Sequence, residues 1–164
     1  MRSGVPERQP ITNTSTSQLG PNNVDVAAAM ISGLLTELSG GREIDTSEVL
    51  STSQQLLNHG RVERLIAYVD EEPAGVLTLN ECAAVYAGGR FDEITELYFK
   101  PEYRCHGIAA LLLSEARSFA QTRGWKRLEV GAPDQPEWQR TLKFYQREGF
   151  IDIGSCLRLL LLEA

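Results

Sequence analysis

The most distinct pattern of apolar and polar positions lies in residues 91–124, which predict a strand, a short turn and a helix. Residues 94–99 are rich in β-branched and aromatic side chains, as in a buried strand, and Pro101 ends the run because proline cannot donate to a strand ladder. In residues 108–120 apolar side chains recur at spacings of three and four, which is typical of an amphipathic helix that ends at Gly124. The turn therefore leads the chain directly from a strand into the first turn of a helix.

Periodicity also predicts the elements on either side of this stretch. A β-hairpin before the central strand gives three antiparallel strands, and a later strand is expected to lie parallel to the central one because a helix connects the two. Residues 1–22 hold few large apolar side chains and are expected to form a flexible tail, which leaves residues 23–164 as one domain. The other predicted elements are helices at 24–38, 45–58 and 134–149, the hairpin at 61–79, the parallel strand at 125–130, and one or two last strands at 150–153 and 156–162.

Composition and charge narrow the class of protein. The chain has 164 residues and a net charge of −6, which disfavours nucleic acid as a partner and weakly favours a cationic substrate. No apolar run approaches the roughly 20 residues of a membrane-spanning helix. Cys82, Cys105 and Cys156 are odd in number and lack metal or redox spacing, so we expect a cytoplasmic protein without a metal site.

The turn before the predicted helix has the features of an anion site. The first amides of a helix lack intrahelical partners and lie at the positive end of its dipole. Gly107 and Ala109 keep side chains away from an approaching anion, and the guanidinium of Arg104 can bind two phosphate oxygens at once. A pyrophosphate is the natural ligand, although the same pattern also describes an ordinary strand-to-helix turn with an exposed arginine.

The chain contains two further motifs, Arg104-Cys105-His106-Gly107-Ile108-Ala109 and Phe144-Tyr145-Gln146-Arg147-Glu148-Gly149-Phe150. In this order they resemble the motifs of the Gcn5-related N-acetyltransferase (GNAT) superfamily. One is similar to Gln/Arg-x-x-Gly-x-Gly/Ala and the other to Phe-Tyr-x-x-x-Gly-Phe, and the order of predicted elements over residues 24–162 is also similar. The resemblance implies an α/β (α+β) fold with a central mixed, mostly antiparallel sheet that is splayed between its middle strands and flanked by about four helices.

The same resemblance implies an N-acetyltransferase in which a primary amine directly attacks acetyl-coenzyme A. The acceptor would be a small molecule or a peptide amine, with no nucleic acid, membrane or metal involved, and homodimers are common in the family. The co-substrate would lie where the central strand and the following strand splay apart. The residues expected to bind it are Leu97 and Phe99 through their backbone at the pantetheine arm, and Arg104, Cys105, His106, Gly107, Ile108 and Ala109 at the pyrophosphate.

Three residues are candidates for the proton transfers. By resemblance, Tyr145 would protonate the departing sulfur, but it also lies on an apolar stripe where tyrosines commonly serve packing. Glu96 is the first candidate for the base and Glu93 the second, each with a salt bridge or an exposed edge as the alternative. Strict alternation places these two glutamates on opposite faces of the strand, and a bulge, which is usual in the family, would change that.

Two other functions fit the sequence. A non-catalytic module that binds or senses acyl-coenzyme A would keep the turn at Arg104 and could keep Tyr145 for packing. An interaction subunit would use the apolar run at residues 159–162 as a contact. We expect that run to be a strand buried on both faces.

Overall fold

A five-stranded sheet forms the centre of the computed structural model, which describes residues 13–18, 20–104, 106–154 and 157–161. Helices pack on both faces of this sheet. The strands are β1 (Thr14–Gln18), β2 (Val62–Val69), β3 (Glu72–Ala84), β4 (Gly89–Phe99) and β5 (Leu128–Val130). The helices are α1 (Val24–Leu38), α2 (Thr46–Leu57), α3 (Ile108–Thr122) and α4 (Gln139–Arg147).

The strands lie in the order β1-β2-β3-β4-β5 across the sheet. The first four are antiparallel neighbours, whereas β5 is parallel to β4 because α3 carries the chain back along the sheet. β5 pairs with Asp92, Glu93 and Ile94 and ends at Val130, so β5 does not cover the part of β4 that continues to Phe99. This mixed, mostly antiparallel sheet with helices on both faces confirms the predicted fold class.

Each face of the sheet has its own apolar core. On one face, buried side chains of β2, β3 and β4 pack against Leu112 and Ala116 of α3. On the other face, Ile66 and Val76 pack against Met30 and Ile31 of α1. The sheet therefore separates α3 from α1 and α2, and a residue of β4 faces one layer or the other according to its register.

An edge strand replaces part of the predicted flexible tail. Residues Thr14–Gln18 form β1 and pair antiparallel with β2, from Thr14 opposite Val69 to Gln18 opposite Leu65. All five residues are polar, so composition did not indicate a strand, but backbone groups along the edge of β2 need hydrogen-bond partners whatever side chains supply them. The tail prediction is thus wrong for these residues, and residues 1–12 lie outside the described ranges.

The predicted last strands are not present in the described residues. Residues 150–154 and 157–161 have no strand assignment, and residues 155, 156 and 162 lie outside the description. Leu157, Leu159, Leu160 and Leu161 are 77–97% exposed, so the expectation of a strand buried on both faces is wrong here. An apolar run indicates that side chains favour burial, but it does not specify the surface that covers them.

The fourth helix is shorter than predicted. Residues 135–138 form a turn in which the amide of Trp138 donates to the carbonyl of Asp134, and α4 begins only at Gln139. Asp134 therefore does not cap the helix with its side chain. None of the helices in the described ranges has the length and hydropathy that crossing a membrane would require.

Candidate active site

The candidate site lies at the end of β4, beyond its pairing with β5. The amide of Lys100 donates to the carbonyl of Ala74 at 2.9 Å, which holds this end of β4 against β3. A single 3-10 turn, Pro101–Tyr103, then reverses the chain toward the start of α3. The end of β4 that β5 does not cover is therefore joined by this turn to the N-terminus of α3.

The N-terminus of α3 is open to an anion. Gly107 precedes the helix with φ +77°, a left-handed conformation that favours glycine, and no atom lies within 4 Å of where a Cβ would be. No side chain caps the helix, so its first amides remain available, and Ile108 is buried in the core and anchors this end. His106 and Ala109 are half-buried, and Cys105 lies outside the described residues. An uncapped helix with an open glycine fits a diphosphate group.

Arg104 links this turn to α1. Its Nη2 donates to Glu37 Oε1 at 2.5 Å, its Nε donates to the carbonyl of Phe99 at 3.3 Å, and its guanidinium lies 5.8 Å from the centroid of the Tyr98 ring. Burial, followed by the nearby carboxylate of Glu37, raises the pKa of Tyr98, while Arg104 opposes that rise. The cation expected to bind phosphate is thus half-buried and paired with a carboxylate.

Sequence reasoning missed Glu37 and Tyr98 as neighbours of the turn. Glu37 lies 67 residues before Arg104, at the end of a helix whose apolar stripe gave no sign of this contact. Tyr98 lies in the predicted central strand, where its aromatic character indicated only burial. A long-range ion pair of this kind has no signal in local sequence spacing.

Leu97 and Phe99, the residues expected beside the pantetheine arm, lie in the last part of β4. Their side chains pack against the core on the α3 face, and they pair with Leu77 and Gly75 of β3. The carbonyl of Phe99 already accepts a hydrogen bond from Arg104 Nε. A ligand that used this carbonyl would therefore displace part of the arginine's present contact.

A β-bulge determines where the two candidate bases lie. Thr78 is opposite Glu96 and Leu79 is opposite Ile94, so Thr95 is an extra residue in β4. The extra residue reverses the alternation, and Glu93 and Glu96 lie on one face, the face of α1 and α2. The prediction from strict alternation, opposite faces, is wrong, whereas the bulge expected from the resemblance is confirmed.

Both glutamates are half-buried and already have polar neighbours. Thr95 Oγ1 donates to Glu96 Oε2 at 2.7 Å, and the thiol of Cys82 lies 3.8 Å from Glu93 Oε2. Burial, followed by the negative charge and hydrogen bond of Glu93, raises the pKa of the Cys82 thiol. This thiol therefore stays protonated as a neighbour of Glu93 and is not an activated nucleophile.

A buried arginine lies on the same face as the glutamates. Arg64 of β2 is opposite Thr78, which is opposite Glu96, so the three residues form a row across the strands. Burial lowers the pKa of Arg64, and the charge of Glu96 opposes that decrease. Arg64 Nη1 donates to the carbonyl of Ser53, while Arg64 Nε and Thr78 Oγ1 are buried without a hydrogen-bond partner in the described structure. The arginine interrupts the apolar run of β2, a signal that sequence reasoning did not use.

Tyr145 is a buried member of α4. Only 6% of the residue is exposed, and its ring lies 5.4 Å from the rings of both Phe144 and Phe150. Burial raises its pKa to about 12, so the phenol keeps its proton at neutral pH. Among the hydrogen bonds of the described residues, none joins its hydroxyl to Glu93 or Glu96. The structure thus groups the two glutamates on one face and places the tyrosine in an aromatic cluster on another element.

The described residues contain no group of three or more His, Cys, Asp or Glu side chains that could hold a metal ion. The structure therefore does not add a metal site to the candidate residues named above.

Comparisons with a family model and with a curated protein both identify acetyltransferases as similar to this chain. The model of the acetyltransferase (GNAT) family matches residues 30–150. A thialysine N-epsilon-acetyltransferase from Caenorhabditis elegans is 29% identical over 91 residues, which cover 54% of this chain and 56% of that protein, so the chain matches little more than half the length of this curated relative.

Solved structures of two further proteins have a similar fold. The ribosomal-protein-alanine N-acetyltransferase from Brucella melitensis biovar Abortus 2308 superimposes with a TM-score of 0.72 at 20% identity, over 91% of this chain and 99% of that chain. A predicted acetyltransferase with acetyl-CoA from Clostridium acetobutylicum has a TM-score of 0.73 at 19% identity, over 91% of this chain and 97% of that chain.

Proposed function

The chain belongs to the acetyltransferase (GNAT) family, and we propose that it transfers an acetyl group from acetyl-coenzyme A to a primary amine. The observation that carries the proposal is the open N-terminus of α3, where Gly107 leaves space beside Arg104 at the unpaired end of β4. Helix amides and a guanidinium form the donor set that a diphosphate requires. The similar fold of an acetyltransferase solved with acetyl-CoA supports the same choice of donor.

In this proposal the residues of the turn hold the donor. The amides of Ile108 and Ala109 bind the pyrophosphate, with the backbone of His106 and Gly107 closing the turn. Arg104 adds a positive charge, and the backbone of Leu97 and Phe99 runs beside the pantetheine arm. Bound acetyl-coenzyme A supplies a thioester, whose carbonyl carbon is attacked by an amine and whose sulfur leaves as a thiol.

The chain's own residues would move the two protons of the reaction. Glu96, or Glu93 as the second choice, accepts a proton from the attacking amine, because both carboxylates lie on the face of α1 and α2. Tyr145 donates a proton to the departing sulfur, which its raised pKa permits because the phenol remains protonated across the neutral range. A positioned acid or base typically contributes about 10²- to 10⁴-fold to the rate.

The acceptor in this proposal is a cationic primary amine on a small molecule or peptide. Glu93 and Glu96 give the α1 and α2 face two carboxylates, and the chain has a net charge of −6. The Caenorhabditis elegans relative is named for an ε-amine, which is a primary amine at the end of a flexible side chain. Both points favour an extended amine over an anionic acceptor.

Calorimetry with acetyl-coenzyme A tests donor binding without knowledge of the acceptor. The wild type should bind saturably, and Arg104→Glu should weaken binding roughly tenfold or more, because it replaces a charge-assisted contact with a repulsive one. Arg90→Glu is the matched control, since that side chain is 71% exposed and belongs to another part of β4. No binding by the wild type, or equal losses in both variants, would contradict the proposed donor site.

The second candidate is a module that senses acyl-coenzyme A without catalysis. It is favoured by the position of Tyr145, whose ring is buried between Phe144 and Phe150 as in ordinary packing. Release of free thiol with a panel of primary amines separates the two functions. Acceptor-dependent thiol release supports the enzyme, whereas donor binding without thiol release for any amine favours the sensor.

A further inference from the structure

The C-terminal end of α4 closes in a Schellman motif that includes Tyr145. The amide of Phe150 donates to the carbonyl of Tyr145 at 3.0 Å, and the amide of Gly149 donates to the carbonyl of Gln146 at 3.1 Å. Gly149 has φ +94°, the left-handed conformation that this cap requires. The ring of Phe150 lies 5.4 Å from the ring of Tyr145, which is the apolar contact that accompanies such a cap. The cap therefore fixes the last turn of α4, in which Tyr145 lies.

Arg117 of α3 binds this cap from the neighbouring helix. Its Nη2 donates to the backbone carbonyl of Glu148, the C-cap residue of α4, and lies 3.8 Å from Oε2 of the same residue. A helix C-terminus has carbonyls without intrahelical partners and carries partial negative charge, so a guanidinium is a favourable neighbour there. In the part of the chain that the structure describes, this arginine supplies the hydrogen bond and the ion pair that join α3 to the end of α4.

The helix α3 thus connects the proposed donor site with the proposed acid. Its first residue is Ile108, directly after Gly107 in the turn, and Arg117 lies about two and a half turns further along the helix. The side chains of Arg117 and Glu148 are 45% and 27% exposed, so their ion pair contributes little to stability. A contact of small energetic value between two helices can still fix the position of one helix against the other.

We propose that Arg117 is a positioning residue for the acyl transfer, because its contact with the cap of α4 fixes the Tyr145 hydroxyl relative to a donor held at the N-terminus of α3. This inference rests on the proposed function, in which Tyr145 protonates the departing sulfur. Proton transfer depends steeply on geometry, and a displacement of about 1 Å can lower a rate roughly 10²-fold. Arg117 itself touches neither the donor nor the acceptor in this proposal.

Steady-state kinetics of Arg117→Met test this role. Methionine keeps an apolar stem but neither the charge nor the donor, so kcat should fall roughly three- to tenfold with an unchanged Kd for acetyl-coenzyme A. Arg117→Lys keeps a positive charge near Glu148 and should recover part of the loss. Arg123→Met is the matched control and should keep wild-type kcat, because Arg123 ends the same helix and forms an ion pair of similar exposure with Glu63.

A double-mutant cycle with Tyr145→Phe separates positioning from a general loss of stability. Since Arg117 is proposed to act through the hydroxyl, Arg117→Met should have little further effect on kcat in the Tyr145→Phe variant. Equal falls in both backgrounds, or wild-type kcat in Arg117→Met, would overturn the role of Arg117 and leave the proposed acetyltransferase intact. A wild type that binds the donor and releases no thiol would instead reject the enzyme, and the positioning role with it.

Hydrogen exchange tests the structural step without catalysis. The amide of Phe150 donates to the carbonyl of Tyr145, so it should exchange roughly three- to tenfold faster in Arg117→Met than in the wild type. Arg123→Met should leave the exchange of this amide unchanged. Wild-type exchange of the Phe150 amide in Arg117→Met would show that the cap does not depend on Arg117, which rejects the proposal.

Discussion

At the residue scale, the pairing of Arg104 with Glu37 sets up a competition for the guanidinium. A phosphate that uses Nη2 of Arg104 competes with this carboxylate. Glu37→Gln should therefore tighten acetyl-coenzyme A binding roughly three- to tenfold, because phosphate binding then breaks no ion pair of Arg104. Titration calorimetry measures the change in Kd.

The control for Glu37→Gln is Glu102→Gln. Glu102 is an exposed acid in the 3-10 turn, so its replacement removes the same charge without releasing Arg104. An equal gain in both variants would attribute the effect to net charge alone. A loss of affinity in Glu37→Gln would mean that Glu37 positions Arg104 for the phosphate and does not compete with it.

A substitution at Tyr145 can distinguish a catalytic role of this residue from a packing role. Tyr145→Phe removes only the hydroxyl and keeps the ring that contacts Phe144 and Phe150. The proposed acid role predicts a fall in kcat of roughly 10²-fold with an unchanged Kd for the donor. Tyr86→Phe, at a residue that is 70% exposed, is the matched control. Wild-type turnover of Tyr145→Phe would assign this tyrosine to packing.

We expect the buried carboxyl of Asp92 to make the stability of the protein depend on pH. The residue is 1% exposed, one carboxylate oxygen has no hydrogen-bond partner in the described structure, and burial raises its pKa from 3.8 to about 6. A carboxyl with a raised pKa in the folded state binds its proton more tightly there, so the free energy of unfolding falls as the pH rises from about 4 to about 6. The loss amounts to at most about 3 kcal/mol.

Denaturant unfolding of Asp92→Asn measures this loss. The asparagine does not ionise, so the stability of the variant relative to wild type should rise between pH 4 and pH 7 by up to about 3 kcal/mol. Parallel curves for wild type and Asp92→Asn over this range would show that Asp92 does not ionise with a raised pKa.

At the scale of elements, the strand, turn and helix that form the proposed donor site were predictable from sequence. Apolar periodicity specifies β4 and α3 locally, and Gly107 has the positive φ that glycine favours. The position of the bulge at Thr95 was not predictable from alternation, because an extra residue changes the face without changing the composition of a strand. The face of the sheet on which Glu93 and Glu96 lie could therefore be determined only from the structure.

The elements that sequence reasoning missed depend on partners that are distant in the chain. All residues of β1 are polar, and this strand forms because it pairs with the edge of β2. Residues 157–161 have the composition of a strand but are exposed and have no strand assignment. Local propensity determines helices better than it determines strands, since a strand is stable only with a neighbour.

Gly33 in α1 tests the contact between this helix and β4. A Cβ at Gly33 would lie 2.8 Å from the phenol oxygen of Tyr98, so Gly33→Ala must displace the ring beside Arg104. We expect acetyl-coenzyme A to bind roughly three- to tenfold more weakly, because Arg104 loses its support. Gly60→Ala is the control, as no atom lies within 4 Å of its Cβ position. Unchanged affinity in Gly33→Ala would show that Tyr98 does not position the arginine.

At the scale of the whole molecule, the turn that contains Arg104 and Gly107 contacts the helices on both faces of the sheet. Ile108 anchors α3 in the core on one face, while Arg104 reaches α1 on the other face through Glu37. A ligand held by this turn contacts parts of the chain that are packed together only in the folded state. Its binding energy therefore adds to the free energy of unfolding of the whole protein.

Thermal unfolding measures this linkage. Acetyl-coenzyme A at 100 times its Kd should stabilise the folded protein by about 2.7 kcal/mol, which corresponds to a rise in Tm of roughly 5–10 °C for a chain of this size. Arg104→Glu, with a Kd about tenfold higher, should keep only about half of that rise at the same concentration, whereas Arg90→Glu should keep all of it. Acetyl-pantetheine, which carries the thioester but no diphosphate, should shift the wild-type Tm far less, because the amides of α3 then have no anion to bind. Equal Tm shifts with the two compounds would mean that the pantetheine arm beside β4 supplies the binding energy. They would contradict the proposal that the N-terminus of α3 binds the diphosphate.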